Sequence, residues 1–173
     1  MFIVKLIYTF LFFTLTIMFA SSEDKTLSIG DSLPSVIALD HENNEFDFEA
    51  NLSDSLTIIF FYPKAHTPGC TLQACSMRDA FSILHKKGIQ VLGVSSDSPK
   101  SQKSFKEKYS LPYTLISDKS GVVAKAFGKS KWSRQAFIFN ESKLIWKDIK
   151  GATSKQGVEA VSYTHLRAHE TGY

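Results

Sequence analysis

"LTIIFFYPKAHTPGCTLQACSMRDAFSILHKKGIQVLGVSS", residues 56–96, decides the fold. It opens on Leu56 to Pro63, a continuous β-branched and aromatic run of the kind found in a strand buried on both faces. Over residues 70–87 the period changes. Met77, Ala80, Phe81 and Leu84 fall at i, i+3, i+4 and i+7, one face of an amphipathic helix. Gly88 closes that helix behind two lysines whose charge suits its C-terminal end. Residues 89–96 read as a second buried strand. Working outward, Ser98 and Pro99 form an N-cap and N1 pair that opens a helix within 97–110. "YTLISD" (113–118) is a strand, and "GVVAKAFG" (121–128) is a short helix closed by Gly128. "RQAFIFN" (134–140) and "KLIWKDIK" (143–150) are two strands around an Asn-Glu-Ser turn. This alternation, ending in a hairpin, predicts an α/β domain: a central mixed β-sheet flanked by helices, in three layers.

The chain has 173 residues, enough for one ordinary domain and too few for two. Hydrophobic residues make up 43% and charged residues 21%, the balance of a packed globular core rather than a disordered chain. The net charge of +3 comes from scattered lysines, with no basic stripe, so the sequence argues against a nucleic-acid partner. The first residues are different material. Lys5 precedes the uncharged run "LIYTFLFFTLTIMFA", after which Ser21 to Lys25 turn polar. That layout predicts a signal peptide over 1–22, cleaved at the small residues Ala20 to Ser22, and an exported, periplasmic or secreted product with no stable membrane association. The rival is an uncleaved anchor, for which the apolar run falls short of the roughly 20 residues a spanning helix needs. The mature domain is then 23–160. The final segment 161–173, "VSYTHLRAHETGY", breaks an amphipathic pattern begun over 153–161 and reads as translated adapter sequence rather than a continuing helix.

Two cysteines, Cys70 and Cys75, stand five positions apart in the whole chain. Cys70 follows Thr-Pro-Gly at a helix start, where free N–H groups and a partial charge of about +0.5 favour a thiolate. On an ideal helix the two Cα atoms are roughly 8.6 Å apart. A disulfide wants less than about 7 Å, so the pair bridges only if the first turns unwind. A permanent structural staple would forbid the helix that the apolar spacing demands. A zinc site would want a second ligand pair, and only His66 and His85 stand near. A dithiol that reacts and then rearranges fits the spacing better than either.

"FYPKAHTPGCTLQAC" resembles the active-site segment of peroxiredoxins, specifically the bacterioferritin-comigratory-protein, or peroxiredoxin Q, subgroup. "GVSSDSPKSQKSFKEKYSLPYTLISD" is similar to the middle section of the same family, and the likeness spans roughly residues 27–150. The resemblance implies a thioredoxin-like fold and a thiol-dependent peroxidase without cofactor or metal. Cys70 would be the peroxidatic cysteine, oxidised to a sulfenic acid, and Cys75 the resolving cysteine that condenses with it. A thioredoxin-like protein would reduce the disulfide, and the subgroup favours a monomer. Thr67 would hydrogen-bond thiolate and peroxide, Pro68 would shield the sulfur, and Arg134 would add fixed positive charge. Taken by itself, Arg134 is an ordinary charge at a strand start. Two positions depart from the family: Ala136 stands where a threonine is common, and His66 where a small or acidic residue is common. Two rival readings remain: an exported thiol–disulfide oxidoreductase acting on proteins, which would want the absent Cys-x-x-Cys, and a non-catalytic, metal-handling thioredoxin-like module.

Overall fold

The structure is a computed structural model that describes residues 26–129, 133–148 and Tyr163. In chain order the elements are β1 (Ile37–Asp40), β2 (Glu45–Asp47), α1 (Phe48–Leu52), β3 (Thr57–Phe61), α2 (Pro68–Lys86), β4 (Gln90–Ser95), α3 (Pro99–Lys108), β5 (Thr114–Ser117), α4 (Val122–Ala126), β6 (Gln135–Asn140) and β7 (Lys143–Asp148). They form one seven-stranded sheet in the order β2-β1-β5-β4-β3-β6-β7. The centre, β3–β4–β5, is parallel, and every outer pairing is antiparallel. The mixed α/β sheet expected from strand–helix alternation is therefore the one observed.

The burial of β3 explains its sequence. All five residues are buried, because both faces of this central strand are covered. Ile58 and Phe60 pack with Met77 and Leu84 of α2 and Phe105 of α3. Ile59 and Phe61 point the other way, against Phe48 and Leu52 of α1 and Val123 of α4, with Phe127 just beyond α4. Gly93 in β4 lets the first layer close. A Cβ there would come within 2.7 Å of the Leu115 side chain and 2.9 Å of the Phe60 ring.

Three elements escaped the sequence reading: β1, β2 and α1. They are four, three and five residues long, and their strands lack the buried run that marks the equally short β5. Ile37 and Leu39 of β1 are exposed, so no inward-facing stripe marks the strand. Asp47 caps α1 by accepting from the Ala50 N–H at 3.1 Å. The expected signal segment 1–22 lies outside the described residues. So do the amphipathic stretch 153–161 and all of the 161–173 tail except Tyr163. The Tyr163 hydroxyl donates to the Ile145 carbonyl at 2.8 Å, and its ring lies 6.0 Å from that of Trp146.

Lys129, just past α4, sets a pH dependence. Its ammonium lies 5.3 Å over the Phe61 ring, and burial lowers its pKa to about 8 despite the nearby Asp118 carboxylate. Between about 8 and the ordinary 10.5 the unfolded chain binds the extra proton, so stability rises with pH across that window. Lys129→Met is expected to flatten this rise. After discounting for solvent screening, it should also add about 1 kcal/mol at pH 7. Urea titrations at pH 7 and 10 check both.

Candidate active site

The chain leaves the centre of the sheet at Phe61 and reaches α2 through six residues. His66 takes a left-handed φ of +61°, a conformation histidine tolerates better than most residues. The turn brings Thr67 into extended geometry as the N-cap, with Pro68 in the first helical position, where a missing N–H costs nothing. Thr67 caps through its backbone: its carbonyl accepts the Thr71 N–H at 2.9 Å. Its hydroxyl donates to the Lys64 carbonyl at 2.9 Å, so in this state the hydroxyl proton is committed to that carbonyl. Pro68 is exposed at the helix start, and Cys70, two residues on, is 1% exposed.

Pairing in the sheet brings a cation to this thiol from far along the chain. β6 runs antiparallel to β3 with Gln135 opposite Phe61, which sets Arg134 beside the loop that follows β3. The Arg134 Nη2 donates to Cys70 Sγ at 3.8 Å. Its Nε, on the same edge of the guanidinium, is buried and has no hydrogen-bond partner among the described residues. A buried donor left without a partner is destabilising by about 1–3 kcal/mol, and a polar substrate atom would offset that cost. Arg134 is thus not the plain surface charge that its sequence context suggests. Ala136 lies opposite Phe60, buried in the cluster that holds Cys70, and offers no hydroxyl.

Gly69 makes this approach possible, a role the sequence reading missed although the Pro-Gly step before the cysteine signals it. A Cβ at position 69 would stand 2.5 Å from Arg134 Nη2 and 3.1 Å from its Cζ. The guanidinium is the flexible end of a side chain, so it would move rather than the helix. Gly69→Ala is expected to cut the rate of Cys70 oxidation by about tenfold or more, the effect of weakening one charge-assisted contact. Stability should hold or rise by up to about 1 kcal/mol, since alanine is the better helix former. Stopped-flow oxidation and thermal melts separate the two effects.

Both cysteines are free thiols in an unbroken α2. Cys75 is half-buried one turn further on, near Arg78 and Tyr113. The Tyr113 hydroxyl donates to the Ala74 carbonyl at 2.8 Å. The buried Gln73, between the two cysteines, donates from Nε2 to the Phe61 carbonyl at 3.2 Å and ties the second turn of α2 to the end of β3. The exposed His66 packs edge-on against Phe105 at 5.2 Å, with the Tyr109 ring 6.3 Å away, so its described partners are on the α3 side.

A polar network also escaped the sequence reading. Tyr62 is fully buried, and burial pushes its phenol far above the usual range, so it stays a donor. Its hydroxyl donates to Gln102 Oε1. Gln102 Nε2 in turn donates to Ser95 Oγ at 2.9 Å and to the Ile116 carbonyl at 2.8 Å. The Ser95 hydroxyl donates to Asp97 Oδ2 at 2.7 Å, and the same oxygen accepts the Ala65 N–H at 2.7 Å. No group of three metal-ligating side chains occurs among the described residues.

The site has relatives. The model of the AhpC/TSA family matches residues 29–147. The chain is 43% identical over 139 residues to the protein carrying the peroxiredoxin bcp name in Coxiella burnetii, covering 72% of this chain and 91% of that one. It is 39% identical over 115 residues to peroxiredoxin Bcp of Escherichia coli, covering 65% and 70%. Among solved structures, peroxidoxin BcpB of Mycobacterium tuberculosis superposes with a TM-score of 0.74 at 28% identity, over 82% of this chain and 97% of that one. With a thiol at a helix start, a guanidinium on its sulfur and these relatives over most of the described domain, the chain belongs to the AhpC/TSA family as a peroxiredoxin, a peroxidase with a thioredoxin-like fold.

Proposed function

We propose that the chain reduces hydrogen peroxide and organic hydroperoxides through Cys70, with Cys75 as the resolving thiol and a thioredoxin-like protein as reductant. The observation that carries this reading is the Arg134 guanidinium 3.8 Å from a buried Cys70 sulfur at the start of a long helix. The Cys70 thiolate attacks one peroxide oxygen. The O–O bond breaks, the alcohol or water leaves with a proton, and the sulfur becomes a sulfenic acid. Arg134 is the fixed cation for the charge developing on the leaving oxygen. Its unpartnered Nε is a second donor for the peroxide. Pro68 would shield the sulfur from solvent, and the Thr67 hydroxyl would turn from the Lys64 carbonyl to bond the peroxide.

Resolution needs the helix to open, because an intact α2 keeps the two Cα atoms roughly 8.6 Å apart. Once the first turns unwind, the Cys75 thiolate attacks the sulfenic sulfur, an S–S bond forms, and water leaves. A dithiol reductant then exchanges with the bridge and is itself oxidised. Lys5 and the uncharged run after it support export, so an exported thioredoxin-like protein would be the reductant. Cys75→Ser is expected to consume one equivalent of peroxide per chain and then stop, with turnover on a thioredoxin system reduced by about a hundredfold or more. Full turnover by this variant would refute the intramolecular bridge.

A further inference from the structure

We propose that Asp97 is a positioning residue that pins the Cys70 loop at its base and sets how readily the start of α2 unwinds. This inference rests on the bridge between Cys70 and Cys75 proposed above. Asp97 lies in the turn between β4 and α3, apart from the sulfur, and its carboxylate is engaged on both oxygens. Oδ2 accepts the Ala65 N–H and the Ser95 hydroxyl, each at 2.7 Å, and Oδ1 accepts the Ser101 hydroxyl at 3.2 Å. The turn itself is fixed, since the Ser117 hydroxyl donates to the Asp97 carbonyl at 2.7 Å and the Asp97 N–H to Ser95 Oγ at 3.2 Å.

The network closes on itself. Tyr62 enters it through its hydroxyl and Ala65 through its N–H, so both ends of the four-residue segment Tyr62 to Ala65 are held by one chain of bonds. Everything that must move for Cys70 to reach Cys75 begins just beyond Ala65. On the far side, Gln73 is tied to the Phe61 carbonyl. Residues 66–72 therefore lie between two anchors. The Ala65 anchor is the stronger of the two, as a charge-assisted bond to a carboxylate. It holds Thr67 and Cys70 in the geometry that meets peroxide and resists the fraying that resolution requires. Asp97 thus trades speed in the first step against speed in the second. A slow second step leaves the sulfenic acid open to a further peroxide and to sulfinic acid.

The test compares Asp97→Asn with wild type and with Val123→Ala, a cavity variant on the opposite face of the sheet. Asparagine keeps the size but loses one of the two acceptor oxygens and the charge. Stopped-flow fluorescence reads Cys70 oxidation and then disulfide formation, and mass spectrometry reads the sulfinic fraction under excess peroxide. In Asp97→Asn we expect oxidation to slow, disulfide formation to speed up, and the ratio of the two rates to shift by about tenfold, the worth of one charge-assisted bond. The sulfinic fraction should fall. Val123→Ala, at a comparable loss of melting temperature, should leave the ratio as in wild type. Ser95→Ala, which keeps the bond to Ala65, should shift the ratio in the same direction by less and covers the case in which Asp97→Asn fails to fold. Equal ratios in Asp97→Asn and Val123→Ala, or an unmoved ratio in both network variants, would overturn the positioning role. Failure of wild type to form the Cys70–Cys75 bridge would instead overturn the underlying mechanism.

Discussion

Cys70→Ser is expected to abolish peroxide consumption, by about four orders of magnitude or more, as loss of a nucleophile does. A serine hydroxyl at the start of α2 has the same partial positive charge and the same Arg134 above it, yet it does not ionise near neutral pH and forms no sulfenic acid. The fold should survive. Cys70 is one buried atom cluster in a core that also holds Ile58, Phe60, Met77 and Leu84. Burying a hydroxyl for a thiol costs about 1–3 kcal/mol, and less if it donates to a nearby carbonyl. A peroxide-consumption assay alongside a melting curve checks this. Retained activity in a folded Cys70→Ser chain would move the chemistry to Cys75 and reverse the assigned roles.

Arg134→Met should carry the next largest effect. Removing one positioned donor from a charge-stabilising site costs about 10²–10³ in rate, and the Cys70 sulfur also loses its bond from Nη2. The stability should move the other way. The buried Nε of Arg134 has no hydrogen-bond partner among the described residues, so methionine removes an unsatisfied donor. We expect Arg134→Met to be at least as stable as wild type while losing most of its oxidation rate, a trade of stability for activity at one side chain. Arg134→Lys should recover only part of the rate, because a single ammonium cannot present Nη2 to sulfur and Nε to peroxide together. Stopped-flow oxidation and urea titration of the three proteins give both quantities. A rate unchanged in Arg134→Met would remove the cation from the mechanism.

What could be read from the chain follows its local periodicities. β3 and β4 were legible as continuous apolar runs and α2 by its helical period, and the Pro-Gly-Cys step marked the helix start. The cysteine spacing by itself sets the geometric conflict between bridge and helix. Arg134 was legible only by resemblance. Its place beside Cys70 depends on antiparallel pairing between β3 and β6, with Gln135 opposite Phe61, across 64 residues of chain. No local pattern encodes that pairing. The Tyr62–Gln102–Ser95–Asp97 network is tertiary for the same reason: its members come from the residue just past β3, from α3, from β4 and from the turn beyond it. β1, β2 and α1 were missed because they are short and because the apolar Ile37 and Leu39 of β1 face solvent rather than the core. The packing of the His66 ring on Phe105 of α3 is a tertiary contact of the same kind as that network.

In the proposed mechanism a thiol held ready on a closed helix reacts first and bridges only after that helix opens. One measurement addresses it most directly: reduced wild-type protein treated with one equivalent of hydrogen peroxide, then mapped by peptide mass spectrometry without reduction. The account predicts a single species with Cys70 joined to Cys75 within one chain. Cys75 oxidised with Cys70 left as a free thiol would contradict it.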